Sequence, residues 1–209
     1  MQQTKVVLQS RRFYISHLNP YSEVDIFSIK NFSVDRPEGY GLEMYLKEYA
    51  CEDEKNHEMR TYLVRDIDTD ELVGYFSLKA GLISLDEKEE ETGDVNPKTG
   101  DKVIVTKFNT LPGVELANFA VNSAYIAKHP KQKGNGHVIF TEFIMPMIDK
   151  VAEYAGVKMI YIFALPYDDL IDRYKRYGFL RLSPAAEEKL HTRLKPRYDM
   201  SCKFMYQLI

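Results

Sequence analysis

The sequence predicts an α/β fold in which a mixed, mostly antiparallel sheet is flanked by helices, within a single domain over residues 1–209. Three observations lead to this prediction. Two β-rich segments, 59–68 and 71–85, are separated only by a short polar turn, which is typical of an antiparallel hairpin. A nearly continuous apolar run covers 157–165, and segments with apolar residues at helical spacing lie on either side of it. A composition of 44% hydrophobic and 28% charged residues allows a sizeable core.

The first half of the chain contains a predicted helix and three predicted strands. The helix covers 40–55, because apolar residues recur there on one face, namely Leu42, Leu46, Tyr49 and Ala50. The two β-rich segments follow as a hairpin, and a further strand is predicted at 113–122.

The second half alternates helices and strands. Apolar residues at helical spacing predict a helix over 138–154, which Pro146 should kink because proline lacks a backbone N–H. The apolar run at 157–165 is expected to be a strand covered on both faces. The chain then closes with two helices and two strands, predicted at 168–178, 184–194, 179–182 and 198–209.

The segment from Asp86 to Lys102 is strongly acidic. Its seven acidic and three basic residues give a net charge of −4, against −3 for the whole chain. It also contains Gly93, Pro97 and Gly100 and almost no apolar residues. This composition predicts a solvated hairpin or a flexible surface insertion, and not a domain boundary.

Composition excludes several classes of protein. There is no run of about 18 apolar residues, so no membrane-spanning helix is predicted, and the first residues show no secretory signal. Cys51 and Cys202 are far apart, and we expect two free thiols in a reducing cytoplasm. No His, Cys and Asp residues have metal-ligand spacing, so no metal is predicted. The net charge gives no general attraction to nucleic acid.

A basic loop with two glycines lies between a predicted strand and the helix that begins near Gly136. Lys128, Lys131 and Lys133 add positive charge, and Gly134 and Gly136 lack a Cβ, so an anion can approach the main chain. Free N–H groups at a helix N-terminus bind phosphate well. The loop lacks the Gly-Lys-Ser/Thr ending of a Walker loop and the third glycine of a dinucleotide fingerprint. By itself it indicates either an anion site or a basic turn.

Three segments in combination resemble motifs of the Gcn5-related N-acetyltransferases. KQKGNG, at 131–136, resembles the pyrophosphate loop of that family. ELANFAVN, at 115–122, resembles the strand whose main chain pairs with the pantetheine arm, and IDRYKRYGF, at 171–179, resembles the segment that carries a tyrosine acid. The resemblance extends from Phe32 to Leu182. The first helix and the segment VGYFSLKAG are similar to the subfamily that includes toxins acetylating charged tRNA.

The resemblance implies an N-acetyltransferase fold, acetyl-CoA as co-substrate and direct attack of an amine in a ternary complex. It places strand contacts of the cofactor at Phe119 and Val121. The loop supplies the other cofactor contacts, which are Lys131, Gln132, Lys133, Gly134, Asn135, Gly136 and His137. No covalent enzyme intermediate is expected, since neither cysteine falls within a matched motif.

Glu115 is the candidate base. An alkylammonium with a pKa of about 10.4 must lose a proton before it attacks the thioester. Glu115 lies where histone-type members of the family carry a glutamate base, and strand alternation would place it on the same face as Ala117, Phe119 and Val121. A solvent-facing strand glutamate is the alternative.

Tyr174 is the candidate acid. It aligns with the family tyrosine whose phenol protonates the departing CoA sulfur, and an aromatic packing residue is the alternative. Tyr177, one helical turn further, is expected in the core because it precedes the helix-ending Gly178.

The chain departs from the family pattern at three points. Lys131 stands where Gln or Arg is usual, and the connection 122–130 is longer than usual, which predicts an unusual entry angle for the loop. Tyr167 and Asp168 stand where an asparagine is often found, so one pantetheine contact is not carried over.

The sequence leaves the acceptor open between a small-molecule or peptide amine and, in a toxin-like enzyme, charged tRNA. Nine Lys and Arg against four Asp and Glu in 171–203 favour tRNA, and the acidic insertion opposes it. A non-catalytic module that binds acyl-CoA or a partner is the alternative from another class. A homodimer is compatible with the sequence, and a toxin would have an antitoxin partner.

Overall fold

One sheet organises the molecule. The computed structural model describes residues 6–95, 97–194 and 201–209, without the side chains of 85–95 and 103–109. The strands in these ranges are β1 (Val6–Gln9), β2 (Phe13–His17), β3 (Arg60–Asp66), β4 (Leu72–Val95), β5 (Lys102–Val121), β6 (Met159–Ala164), β7 (Leu180–Arg181) and β8 (Lys203–Leu208). Their spatial order is β1-β2-β3-β4-β5-β6-β8-β7, with only β5 and β6 parallel. The predicted mixed, mostly antiparallel sheet is confirmed.

Helices cover both faces of the sheet. They are α1 (Glu23–Lys30), α2 (Tyr40–Met44), α3 (Ala50–Lys55), α4 (Ser123–Lys128), α5 (Asn135–Ile139), α6 (Met145–Tyr154), α7 (Asp168–Arg176) and α8 (Pro184–His191). Buried side chains from α5 to α7 form one core with the sheet, and buried side chains from α1 to α3 form a second core on the opposite face. A smaller core lies beside α8.

The N-terminal elements were not predicted from the sequence. Strands β1 and β2 have only four and five residues, and α1 buries just Asp25 and Ile29. Elements this short give little periodic signal, and their positions are decided by pairing with β3 and by packing on the sheet.

The predicted helix at 40–55 is found as α2 and α3, which are joined by a π-helical turn over Tyr45–Tyr49. Its expected apolar face is partly wrong, because Tyr45 is fully buried and Tyr49 is 47% exposed. A π turn contains more residues than an α turn, so it rotates the residues around it relative to a regular helix.

The predicted helix at 138–154 begins three residues earlier, at Asn135, and contains a second π turn over Phe140–Ile144. The turn lies directly before Pro146, the expected site of the kink. The N–H of Met145 donates to the carbonyl of Phe140, so the helix continues past the missing donor of the proline.

The acidic segment forms part of a long hairpin. Strands β4 and β5 pair as far as Val95 and Lys102, around a turn at 97–100. The segment was expected to form either a hairpin or a flexible insertion, and a hairpin is observed. Asn96 and the acidic side chains from 86 to 95 lie outside the described part of the molecule.

Gly74 of β4 sets how closely α5 lies on the sheet. A Cβ at this position would lie 2.7 Å from the carbonyl oxygen of Ala120 and 3.0 Å from Cδ1 of Ile139. The first neighbour is backbone in the adjacent strand, so it cannot move aside as the tip of a flexible side chain would.

Replacement of Gly74 by alanine should therefore destabilise the fold. We expect Gly74→Ala to lower the free energy of unfolding by about 1–3 kcal/mol, the usual cost of overpacking. Urea denaturation measures this difference. Gly156→Ala is the control, because an added Cβ there meets no described heavy atom within 4 Å. Equal stability of the two variants would show that α5 shifts at no cost.

Candidate active site

Strands β5 and β6 are paired over only three residues. Gly113–Glu115 pair with Met159–Tyr161, and in the described part of the chain the pairing does not continue beyond them. Strand β5 remains paired to β4 as far as Val121. From Leu116 to Val121, β5 is therefore paired with β4 but not with β6 in the described part of the chain.

Two glycines lie where the strands separate. Gly81 and Gly113 are cross-strand neighbours in β4 and β5. A Cβ at Gly81 would overlap the hydroxyl of Tyr161, and a Cβ at Gly113 would lie 2.8 Å from Cγ of Met159. The absence of these two Cβ atoms allows β6 to approach β5 at this one place.

A β-bulge follows directly in β5. Asn118 and Leu116 pair with Ser77 and Leu78, which are consecutive residues of β4, so Ala117 is an extra residue in its strand. A bulge of this kind bends the strand and increases its twist. It also interrupts the alternation of side chains between the two faces.

The expectation that Glu115 shares a face with Phe119 and Val121 is therefore wrong. Phe119 and Val121 pack in the core on the side of α5 to α7, and so do the two residues that flank Glu115 in the strand. Glu115 lies on the opposite face, where it is half-buried and accepts a hydrogen bond of 3.4 Å from Oη of Tyr161. It belongs to the last residue pair that joins β5 to β6, opposite Tyr161, and it is not among the residues that line the two cavities into which these strands open.

The separated strands open into two adjoining cavities. The inner cavity, of about 240 Å³, is lined mainly by apolar residues of β5 and β6 and includes Tyr174 in its wall. The outer cavity, of about 1210 Å³, is lined by the loop residues 132–137. Phe119, Val121 and Gly136 line both cavities, so one cleft runs from the loop to Tyr174.

Gly134 lies at the N-terminus of α5 in the left-handed region, with φ of 75°. Residues with a Cβ rarely adopt this conformation, and no described heavy atom lies within 4 Å of the position that a Cβ would take. The helix that begins here continues through the π turn and α6. Its first N–H groups have no partner within the helix and lie beside the outer cavity, which makes this end suited to an anion.

The side chains of Gln132 and Asn135 are held by the protein itself. Nη2 of Arg12 donates to Oε1 of Gln132 at 2.8 Å and to Oδ1 of Asn135 at 3.2 Å. The hydroxyl of Tyr125 lies 2.6 Å from the same Oε1 of Gln132, and its one hydrogen is shared between Gln132 and Asp66. Both residues were predicted as cofactor contacts. Because their side-chain oxygens are engaged, the donors that they can offer to a ligand are their main-chain N–H groups and their side-chain NH₂ groups.

The lysines around the loop differ in their surroundings. Lys131 and Lys133 are exposed and form no ion pair with a described residue, and Lys133 lines the outer cavity. Lys128 instead pairs with Glu71 at 2.6 Å, and Nε2 of His129 lies 2.7 Å from the same carboxylate. These hydrogen bonds lower the pKa of Glu71. Lys128 thus neutralises a protein carboxylate, whereas Lys133 provides positive charge to the cleft.

Tyr174 lines the inner cavity from α7 and is 8% exposed. Its ring centroid lies 6.3 Å from that of Phe140 and 5.6 Å from that of Phe179. Its hydroxyl forms no hydrogen bond with any residue in the described ranges. Burial raises the pKa of Tyr174, so its phenol stays protonated at neutral pH.

Tyr177 packs against the core but is only partly buried, so the expectation that it would be a core residue holds only in part. It is half-buried at the C-terminus of α7 and lines both cavities. Its ring stacks on Phe140 with centroids 4.2 Å apart, and its hydroxyl lies 3.1 Å from Nδ1 of His137. The structure thus brings Tyr177 to a predicted loop residue.

Three residues of the cleft wall were not predicted from the sequence. Glu38, in a short helical turn before α2, and Arg173 of α7 line both cavities. Cys202, expected only as a free thiol, is 2% exposed and lines the inner cavity. No local pattern marks these positions, because each is brought to the cleft by packing between distant segments.

Comparison with solved structures identifies the fold. A tyrosine-to-phenylalanine mutant of KacT has 16% identity and a TM-score of 0.62, over 95% of both chains. A similar mutant of the toxin AtaT, bound to the C-terminus of the antitoxin AtaR and to acetyl-CoA, has 14% identity and a TM-score of 0.59, over 94% of this chain and 92% of that chain. A bacterial toxin has 15% identity and a TM-score of 0.63, over 94% and 90%.

The chain has the Gcn5-related N-acetyltransferase fold. The resemblance to this family, close to its toxin-like members, is thereby confirmed as a likeness of structure. No family model matches the chain, and no curated protein matches it. At identities of 14–16%, the shared structure establishes the N-acetyltransferase fold alone.

Two further observations concern metal binding and membrane crossing. Over the described ranges, no group of three or more His, Cys, Asp and Glu residues is arranged to hold a metal ion. In the same part of the chain, no helix combines the length and the apolar character that crossing a membrane requires.

Proposed function

We propose that the protein is an acetyl-CoA-dependent N-acetyltransferase in which a primary amine attacks the thioester directly in a ternary complex. One observation carries the proposal: a single cleft runs from the loop at Gly134, along the edge of β5 that is not paired with β6, to Tyr174. Acetyl-CoA has a charged phosphate end, an extended amide-containing arm and a thioester. In the same order, the cleft offers the loop for the phosphates, the edge of β5 for the arm and Tyr174 for the thioester. The acetyl-CoA bound to AtaT supports the proposal.

The loop is suited to the phosphate end of the co-substrate. The N–H groups at the start of α5 lack helical partners, and the open space at Gly134 lets an anion reach them. Lys131 and Lys133 from the loop and Arg176 from α7 add positive charge. His137, held beside Tyr177, supplies a further polar group at the same end.

The free edge of β5 is suited to the pantetheine arm. Between Leu116 and Val121 the main chain lacks the partners that β6 would provide in a continuous sheet. The amide groups of pantetheine can supply them, in the way that an added strand would. Phe119 and Val121, which share one face of β5, then form an apolar wall along one side of the arm, in line with their predicted role.

Glu115 is the proposed proton acceptor, acting directly or through water. One of its oxygens accepts from Tyr161, and it lies on the face of β5 that carries Ala117, a residue of the inner cavity wall. The amine would then approach from the face of the sheet that carries α1 to α3, where Glu38 also lines the cleft.

Tyr174 is the proposed acid. The leaving thiolate forms in the apolar inner cavity, where burial raises the basicity of the sulfur. A phenol that is still protonated at neutral pH can donate to it, and the Tyr174 hydroxyl has no competing described acceptor. AtaT and KacT have each been crystallised with a tyrosine changed to phenylalanine.

Acetylation of charged tRNA is the second candidate function. Its support is a cationic rim at the cleft, formed by Lys133, Arg173 and Arg176, together with the structural likeness to toxins. For an acceptor held through its phosphates, the logarithm of the affinity would fall linearly with the logarithm of the salt concentration. The affinity for a small amine would depend only weakly on salt. A toxin of this kind would have an antitoxin partner, as AtaT has AtaR, and would act in the cytoplasm.

The first test removes the anion site. Gly134→Glu adds bulk and negative charge where phosphate is expected, so the Kd for acetyl-CoA should rise by roughly 100-fold or more. Isothermal titration calorimetry measures the change. Gly100→Glu is a matched control, since Gly100 has the same φ of 75° and an equally open surrounding in the β4–β5 turn. Unchanged affinity in Gly134→Glu would exclude the loop from cofactor binding.

The second test concerns the acid. Tyr174→Phe removes one hydroxyl and keeps the ring, so turnover should fall by roughly 10²–10⁴-fold with little change in KM. A thiol-release assay measures this, after a panel of amines, peptides and charged tRNA has been screened for an acceptor. Because burial raises the pKa of Tyr174, the wild-type rate should rise with pH as the amine deprotonates, without an alkaline decline below about pH 10.

Tyr177→Phe is the comparison for this test. It loses the bond to His137 at the phosphate end, so it should weaken acetyl-CoA binding and leave turnover at saturation nearly unchanged. If Tyr174→Phe retains full activity, Tyr174 is not the acid. If acetyl-CoA binds but no acceptor reacts, the protein is better described as a binding module.

The third test concerns direct attack. Cys202 lines the cavity proposed to hold the thioester, so a covalent acetyl-cysteine route must be distinguished. With direct attack, Cys202→Ala should keep turnover within about threefold of the wild type, because no step uses the thiol. Intact-mass spectrometry of wild-type protein incubated with acetyl-CoA should then show no acetyl adduct. An adduct that reacts with the amine, together with an inactive Cys202→Ala, would establish the covalent route.

A further inference from the structure

Arg12 lies outside every recognised motif and nevertheless contacts the anion loop. It belongs to the turn between β1 and β2, where its carbonyl accepts the N–H of Ile67. Its guanidinium carbon lies 4.7 Å from the centroid of the Phe13 ring, which is fully buried. The position of Arg12 is therefore defined by the sheet and not by the loop.

A single nitrogen of Arg12 bridges the two sides of Gly134. Nη2 carries two hydrogens, and it donates to Gln132, two residues before the glycine, and to Asn135, the residue after it. Asn135 is buried, so this bond is shielded from water. Hydrogen bonds from a charged donor are stronger than those between neutral groups.

A second chain of hydrogen bonds reaches the same loop from the turn between β3 and β4. Asp66 accepts the N–H groups of Asp68 and Thr69 at 2.9 and 3.1 Å and also accepts the hydroxyl of Tyr125. Oε1 of Gln132 lies 2.6 Å from the same hydroxyl and shares its one hydrogen with Asp66, which links this turn to the loop. Burial opposes the charge on Asp66, but these hydrogen bonds outweigh it and lower the pKa of Asp66. The carboxylate remains an acceptor at neutral pH.

We propose that Arg12 is a positioning residue that holds residues 131–137 in the conformation required to bind pyrophosphate. Two glycines give this loop access to many backbone conformations, and each ordered residue costs conformational entropy on binding. Arg12 removes much of that cost before the ligand arrives, because it ties the loop to the sheet on both sides of Gly134. The expected effect of Arg12 on the affinity for acetyl-CoA rests on the proposed function, whereas its effect on the conformation of the loop does not.

Amide hydrogen exchange of the ligand-free protein tests the positioning itself. Arg12→Met keeps the length of the side chain and its packing on Phe13 but removes the donors, so amides at 131–137 should exchange roughly 10-fold faster. Arg11→Met is the control, since Arg11 is the exposed neighbour in the same turn. Unchanged exchange in Arg12→Met would overturn the proposal.

Acetyl-CoA titration separates positioning from direct contact. Arg12→Met should raise the Kd roughly 10-fold in the wild-type background. It should have no further effect once Gln132→Ala and Asn135→Ala have removed the side chains that it holds. An equal loss in both backgrounds would mean that Arg12 acts on the phosphates directly, which would overturn the proposal. If the wild type binds no acetyl-CoA while exchange responds as expected, the proposed function fails and the positioning role stands.

Discussion

The short pairing of β5 with β6 is the constraint on which the site depends. Gly81 and Gly113 allow contact at one place, which the side chain of Tyr161 occupies, and the bulge at Ala117 then bends β5 away. Had the pairing continued to Val121, β6 would satisfy the main-chain groups that now line the cleft, and the space beside Tyr174 would be closed. The same few residues thus create the cavity and leave a strand edge that a ligand can complete.

In the anion loop, residues 131–137, side chains hold the conformation and the main chain is available to bind the anion. Side chains of Gln132 and Asn135, which resemble ligand-binding groups in the sequence, are used to hold the loop. The main chain at Gly134 and the start of α5 is left for the anion, with exposed lysines nearby. This arrangement suits a phosphate site, since N–H groups fixed in advance bind an anion without reorganisation. The acidic end of the β4–β5 hairpin, residues 86–102, contributes no described residue to either cavity.

Sequence reasoning succeeded where the signal is local and repeated. The β3–β4 hairpin, the buried strand β6 and the helices around Leu46, Ile148 and Ile171 follow from periods of two or about 3.6 residues. It failed where one residue breaks the period. At the π turn over Tyr45–Tyr49, Tyr49 is exposed although it was predicted on the apolar face, and the bulge at Ala117 separates Glu115 from the face of Phe119 and Val121. Irregularities of one residue follow from packing and carry no compositional mark.

The sequence by itself determined the mixed α/β architecture and the glycine loop at the start of a helix, and it marked Tyr174 and Gly134 as candidate site residues. These features depend on short-range spacing and on the conformational freedom of glycine. Only the tertiary structure decided that Arg12 holds the loop, that Tyr177 meets His137, and that Glu38 and Cys202 join the cleft wall. The contacts of Arg12 with Gln132 and of Tyr177 with His137 join residues 120 and 40 positions apart. Their proximity is fixed by strand order and side-chain packing, which no local pattern encodes.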